Sequence, residues 1–545
     1  VPSSPHEFTS GNTPDAPRSD RPALLAALAE DLRRLGYTLD GVAQLLGPAA
    51  SAALNRDQII PALLATQRAA KEEDGARRLA AVVRLWLLAE PQDWVTLDGA
   101  LPGTGAAGLL ELGLVQPVPG TDLLSAKADL RPYGWDANQD GSGGAELWVA
   151  SDLAAHQHED VLRHDHVLGI GQASTTLVQT TIRRHARRAL DLGTGCGIQT
   201  FHLLHHCEHV TATDISERAL AFTRFNILLN AAALSVDPER LDDRVSLRLG
   251  SLLEPVAGEA FDLVVSNPPF VITPRRPGED AAGQFTYRDG GLPGDEIVSS
   301  LVGELPGVLA PGGTAQMLGN WEVAAGAEWH DRPRGWVPSG VDAWFIQREL
   351  VSPEQYAETW LQDASESRDR RHYQEAYAAY LEDFGSRNVE GIGFGMVWLR
   401  RPLSGGPALR RFEEITYPIE QPVGPHLGAA VERADWLAAH RLEDAHLLVA
   451  DDVTEERHQR PGAEHPGVIL LRQGAGLRRT NLLSTVLAGF VSACDGDLSA
   501  GQIAIALEAL LGGDDGAGDA GSFRRALLAD VENLVRDGFL VPAAD

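Results

Sequence analysis

The chain has 545 residues, 44% of them hydrophobic, and 46 Lys and Arg against 76 Asp and Glu, for a formal net charge of −30. That length predicts roughly two to four domains, and the lack of any run of about 18 apolar residues excludes a membrane-spanning helix. So negative a field repels polyanions, which disfavours nucleic acid as a partner.

Residues 1–20 are rich in Pro, Ser, Asp and Gly and predict a disordered tail. Residues 21–149 predict a helical N-terminal domain with a small β extension. Ala and Leu recur at three- and four-residue spacing from Pro22 to Leu88, and Glu90-Pro91 ends that pattern. A small helix-plus-strand unit is expected from Trp94 to Val118. Strand-like runs follow at Leu123 to Tyr133 and Glu146 to Ser151. Between them, Asp136 to Gly143 imitates the start of an EF-hand loop, but the twelfth position is Leu147 and not a glutamate, so a polar hairpin loop is expected.

Residues 150–402 carry the chemistry. His156, His158, His164 and His166 form two H-x-H pairs, yet no cysteine or clustered acid completes a ligand set, so no metal is expected. In the next stretch, Gly169 and Gly171 leave the backbone bare enough for close approach, with Ser174 and Thr175 just after them. Then comes Ala189-Leu190-Asp191-Leu192-Gly193-Thr194-Gly195-Cys196-Gly197-Ile198: a strand, a glycine-rich turn and the start of a helix. The spacing is G-x-G-x-G behind an acid, unlike the G-x-G-x-x-G of dinucleotide binders. His202, His205, His206 and His209 read as the exposed polar face of that helix. The next apolar run ends at Asp214-Ile215, where an acid can accept both hydroxyls of a ribose. Ser216 reads as the cap of a helix over Glu217 to Leu229. A third strand, Val245 to Leu249, leads into Gly250-Ser251-Leu252.

The fourth strand, Phe261 to Ser266, ends in Asn267-Pro268-Pro269-Phe270. An amide side chain, two residues without backbone N–H and an aromatic ring make a surface that accepts hydrogen bonds beside a flat apolar wall. That surface suits a planar NH2 group. A long loop to about Pro293 is expected to form a substrate-facing lid. Further strands are expected at Gly313 to Gly319, Val341 to Leu350 and Gly391 to Arg400, with a helical, aromatic-rich insertion over Ser352 to Phe384.

Residues 403–545 predict a winged-helix-like C-terminal domain. A strand over Gly467 to Arg472 precedes helices at Asn481 to Ala493, Ser499 to Leu511 and Ser522 to Asp537. Arg524, Arg525 and Arg536 are offset by Asp530, Glu532 and Asp537, which favours protein binding or scaffolding over DNA. The cysteines Cys196, Cys207 and Cys494 have no paired spacing, and no leader pattern opens the chain, so a reducing, cytoplasmic location is expected.

Together the glycine-rich turn, Asp214 and Asn267-Pro268-Pro269-Phe270 resemble the class I S-adenosylmethionine methyltransferases. The resemblance is closest to the branch that methylates amide or exocyclic nitrogens, including HemK/PrmC-type N5-glutamine and RsmC-like "methyltransferase small" enzymes. It covers about Ala150 to Pro402 and implies an α/β, Rossmann-like, seven-stranded core. It implies S-adenosylmethionine as cofactor, held by Asp191, Gly193, Thr194, Gly195, Gly197, Asp214, Ile215, Ser251, Leu252 and Asn267. Many relatives have an acid where Ser251 stands. It implies that Asn267 and Pro268 accept from the reacting NH2 group, with Pro269 and Phe270 completing the corner.

Three functions fit this reading. The first is methylation of a protein glutamine, such as one in a translation factor, which the acidic charge favours. The second is methylation of guanine N2 or adenine N6 in rRNA or tRNA. The third is a regulatory protein that binds S-adenosylmethionine without turnover.

Overall fold

The computed structural model describes residues 6–543, apart from 57, 72, 137–143, 155–156, 158–162, 275–289, 364–369, 404–408 and 512–519. The EF-hand-like loop from residue 137, His156, His158 and residues 275–289 of the expected lid therefore lie outside the described residues. The chain divides into two compact units. The first is 1–178, 185–341 and 349–403; the second is 179–184, 342–348 and 404–545.

The first unit is built on a sheet of mostly apolar strands. These are β1 (Ala186–Leu192), β2 (Cys207–Asp214), β3 (Val245–Leu249), β4 (Phe261–Ser266) and β5 (Leu309–Ala324), followed, after β6 (Asp342–Val351), by β7 (Val389–Arg400). The order is β3-β2-β1-β4-β5-β7. The first five are parallel, and β7 runs antiparallel to β5. Parallel strands buried on both faces read as continuous apolar runs, which is why β1, β2 and β4 stand out in the sequence. This is a Rossmann-like sheet with its order reversing between β1 and β4, where a crevice opens at the carboxyl ends of the strands.

Helices α1 (Gln172–Thr180), α2 (Ile198–Leu204), α3 (Glu217–Leu229) and α4 (Glu296–Glu304) connect or cover these strands. Ser216 caps α3 by accepting from Ala219 N at 3.3 Å. The insertion forms two helices, α5 (Pro353–Asp363) and α6 (Arg370–Ser386).

The N-terminal helices belong to the same unit as this sheet. The hairpin of Asp129–Trp135 with Ala145–Ser151 joins them. On one side, Trp148 Nε1 donates to Tyr37 O and Tyr37 Oη donates to Leu130 O, each at 2.6 Å. On the other, the side-chain amides of Asn226 and Asn230 pair with the backbone of Ala150 and Trp148 through four bonds of 2.7–2.9 Å. Two buried amides thus imitate a neighbouring strand and satisfy backbone groups that burial would otherwise orphan.

The same hairpin corrects the reading of the histidines. His202 is buried, with Tyr133 Oη 2.7 Å from its Nε2 and Trp135 packed 3.9 Å from its ring; of the helix's histidines His205 is exposed. Residues 6–20, expected to be disordered, are also placed. Phe8 N donates to Leu247 O at 2.8 Å and Leu249 N to His6 O at 2.7 Å, so this segment pairs with the edge of β3. An edge strand offers unpaired backbone groups, and here the chain's own start takes them.

In the second unit, residues 343–347 of β6 pair in parallel with β8 (Arg410–Glu414). A helix that composition did not suggest, Gly424–Ala439, follows. Helices Thr485–Ser492, Ala500–Leu511 and Ala520–Asp537 share a core that includes Phe490, Val531, Leu534 and Phe539. Strands Asp495–Ser499, His446–Val449 and Leu540–Pro542 form one sheet, and Val453–His458, Val468–Gln473 and Thr480–Leu483 another. Thr480–Leu483, expected to begin a helix, is a strand paired with Ile469 to Arg472.

Candidate active site

The crevice at the carboxyl ends of β1, β2 and β4 contains a cavity of about 540 Å³. It is lined by Gly193, Thr194 and Gly195 after β1, by Asp214 and Ile215 after β2, and by Ser251 and Leu252 after β3. Asn267, Pro268 and Pro269 after β4 complete the set. Sequence-distant residues meet there because consecutive parallel strands end on one edge.

The turn after β1 is held from below. Gly193 N and Thr194 N both donate to Thr213 O, at 3.0 and 2.9 Å. Thr223 Oγ1 donates to Gly195 O, and Asn226 Nδ2 to Cys196 O, each at 2.9 Å. Gly193 and Gly195 have φ of +78° and +57°, and a Cβ on either would meet no atom within 4 Å. Their bare backbone faces the cavity. Gly197 differs: it does not line the cavity, and a Cβ there would sit 3.2 Å from Thr223 Cγ2.

Asp214 accepts from Gly195 N on Oδ2 at 3.0 Å and from Ser216 N on Oδ1 at 2.9 Å. A carboxylate has about four lone-pair sites, so each oxygen keeps one for a hydroxyl in the cavity. Burial raises the pKa of this carboxyl above its ordinary value.

Asp191 has a different place from the one expected. It is fully buried beneath the turn, where its Oδ2 accepts from Thr194 Oγ1, Thr200 N and Thr200 Oγ1 at 2.7–3.0 Å. It does not line the cavity. Strand alternation sends Leu192 toward the cavity and Asp191 to the opposite side, against α2. Burial pushes its pKa up to about 6.

At the end of β4, Ser266 Oγ donates to Leu192 O at 2.8 Å and fixes the last paired residue. Asn267 follows. Among the described residues its Oδ1 is buried and has no hydrogen-bond partner. A buried acceptor left unpaired costs roughly 1–3 kcal/mol, so this oxygen is poised for a donor. Pro268 and Pro269 contribute no N–H. Phe270, expected as the flat wall, is half-buried and does not line the cavity. The chain beyond it leads into the packed cluster of Val271 and Ile272.

The stretch before the first motif also lines the cavity, through His166, Gly169, Gly171 and Ser174. Gln199 Nε2 donates to Ser174 O at 2.9 Å and ties that stretch to α2. Sequence reasoning missed Gln199, and also Gly290, Leu292, Ile297 and Leu301. Ile297 and Leu301 lie one turn apart on α4, a spacing that shows a buried face without showing what it faces.

These features fit S-adenosylmethionine: a bare-backbone turn, a carboxylate with spare acceptor sites, and the apolar side chains of Ile215 and Leu252 at one end. Ile215 is 59% exposed and lines the cavity.

Residues 155–279 match the family described as Methyltransferase small domain, and residues 34–126 match a Domain of unknown function (DUF7059). The release factor glutamine methyltransferase of Bordetella pertussis is 34% identical over 163 residues, 28% of this chain and 56% of that protein. The ribosomal protein uL3 glutamine methyltransferase of Bradyrhizobium diazoefficiens is 32% identical over 157 residues, 28% of this chain and 46% of that protein. The chain thus spans about half the length of these relatives. Among solved structures, a methyltransferase from Pyrococcus furiosus aligns over 42% of this chain and 81% of its own, at 16% identity and a TM-score of 0.23.

Proposed function

We propose that this chain is an S-adenosylmethionine-dependent N-methyltransferase acting on a planar NH2 group, that of a glutamine side chain in a protein. One observation carries the reading. Asn267, whose buried Oδ1 is unpaired among the described residues, lines with two N–H-free prolines the cavity that Gly193, Gly195 and Asp214 also line.

In this reading the backbone of Gly193 to Gly195 admits the methionine portion of the cofactor. Asp214 accepts from the ribose hydroxyls. Ile215 and Leu252 cover the adenine, and the Ser251 hydroxyl accepts from its amino group. When bound, S-adenosylmethionine supplies a methyl group on a positively charged sulfur.

The remaining work belongs to the corner after β4. The acceptor NH2 donates to Asn267 Oδ1 and to the Pro268 carbonyl. An amide nitrogen is a poor nucleophile because its lone pair is delocalised. Acceptors set out of the amide plane favour a pyramidal nitrogen, so the interaction strengthens as the transition state forms. Holding the nitrogen in line adds the advantage of position. The methylated nitrogen is acidic and sheds its proton to water, so no side chain need act as a strong base.

A protein acceptor is supported by two further facts. The net charge is −30, and no Lys or Arg is among the described residues that line the cavity. The relatives' names, a release factor and a ribosomal protein as acceptors, point to a component of translation.

The test is to incubate the chain with methyl-labelled S-adenosylmethionine and whole-cell extract, then digest with protease or with RNase. Label released by protease alone supports the reading. Label released by RNase alone makes the acceptor a base in RNA. Cofactor binding with no label transferred makes the chain a binding protein.

A further inference from the structure

We propose that Tyr356, on the inserted helix α5, is a positioning residue that clamps the Asn267–Phe270 corner. This rests on the reading of that corner as the acceptor site.

The corner has an anchoring problem. Parallel pairing between β4 and β5 ends at Ser266, opposite Met317. Pro268 and Pro269 then have no N–H to give, so that stretch cannot continue the ladder with β5. A corner that must hold an amide oxygen in a fixed place needs support from both sides. One support is Ser266 Oγ on Leu192 O. Another is Tyr356: Ile272 N donates to its hydroxyl oxygen at 2.8 Å. The corner therefore lies between two side-chain hydrogen bonds six residues apart.

Tyr356 is itself fixed. It is fully buried, stacked on Phe394 at 5.6 Å and edge-on to Phe384 at 5.5 Å. Asn320, fully buried on β5, donates from Nδ2 to the same hydroxyl oxygen at 2.9 Å. Val271 and Ile272 pack in one cluster with Tyr356, Leu361, Tyr380 and Phe384, so the two inserted helices form the backing of the corner. A simple strand-to-strand connection would need only a few residues here. Second supports of this kind hold reacting groups to within a fraction of an ångström, and small displacements cost large factors in rate.

The test is Tyr356→Phe in the full chain, which keeps the ring and removes the hydroxyl. Two measurements are made. In hydrogen exchange, the amides of Phe270 to Ile272 should exchange at least tenfold faster, with those of residues 192–197 unchanged. In methyl transfer at saturating S-adenosylmethionine, the rate should fall at least tenfold while cofactor Kd stays within about twofold. An unchanged exchange rate at 270–272 overturns the clamp, as does uniform acceleration across the molecule, which marks general destabilisation. A wild-type transfer rate with faster exchange overturns the positioning role. If the wild-type chain transfers no methyl group to anything, the proposed function fails, and the exchange measurement alone decides whether Tyr356 holds the corner.

Discussion

Two carboxylates 23 positions apart in the chain show how environment assigns roles at the scale of single residues. Asp214 and Asp191 are both acids at strand ends, and both have raised pKa values through burial. Asp214 faces the cavity; Asp191 props the turn from behind. The sequence showed the acids but not their phase, because one residue along a strand reverses the direction of a side chain. Asp191 gives a pH test. Its folded pKa, about 6, lies above the ordinary value of 3.8. The folded state therefore favours the protonated form. Its contribution to stability is fully present below about pH 4 and lost as pH rises through about 6. In Asp191→Asn that contribution no longer titrates. Thermal melts at several pH values should show a flatter dependence between pH 4 and 6 than in the wild type. An unchanged dependence would mean that Asp191 is not titrating in this window.

Among elements, those with local signals were legible. The glycine-rich turn, the cap at Ser216 and the prolines after β4 announce themselves because their backbone chemistry needs those residue types. Elements whose order comes from distant partners were not. Residues 6–20 read as polar tail, yet His6 and Phe8 pair with the edge of β3 and Arg18 N donates to Leu112 O. His202 read as surface, yet a hairpin some 70 residues upstream covers it. Helix Gly424–Ala439 was hidden by the proline-rich entry from Gln421 to Pro425. Phe270 was assigned a wall because it is next to Asn-Pro-Pro; a spot in sequence does not fix which way a ring turns. The glycine turn supplies a prediction. Gly193→Ala places a Cβ at φ +78°, pointing into empty cavity. The strain costs roughly 1 kcal/mol of stability, and in the proposed binding mode the methyl takes space that the cofactor needs. Calorimetric titration should show S-adenosylmethionine affinity falling at least tenfold. Unaltered affinity would place the cofactor elsewhere.

For the whole molecule, the second compact unit takes in residues 404–545 together with the earlier segments 179–184 and 342–348. Residues 342–348 belong to the second unit, where Ala343 to Gln347 pair with Arg410 to Glu414. A chain cut after Pro402 leaves that strand without its partner, and it should melt without a cooperative transition or aggregate. A truncated chain that melts as sharply as the full one would show that the pairing is dispensable. The charge makes a second prediction at this scale. A protein neutralising six to ten phosphates loses about 10³–10⁵ in affinity between 50 and 200 mM salt. With a formal charge of −30, transfer should change by no more than a few-fold over that range. A steep loss would favour a nucleic acid acceptor.

The central claim is that Asn267 Oδ1 grips the reacting nitrogen without serving the cofactor. Its most direct measurement is the rate of labelled methyl transfer by Asn267→Ala at saturating S-adenosylmethionine, with cofactor Kd recorded on the same sample. Loss of one such preorganised group typically costs about 10²–10³ in rate. The rate should fall by that factor with Kd within about twofold of wild type. Transfer at the wild-type rate would contradict it.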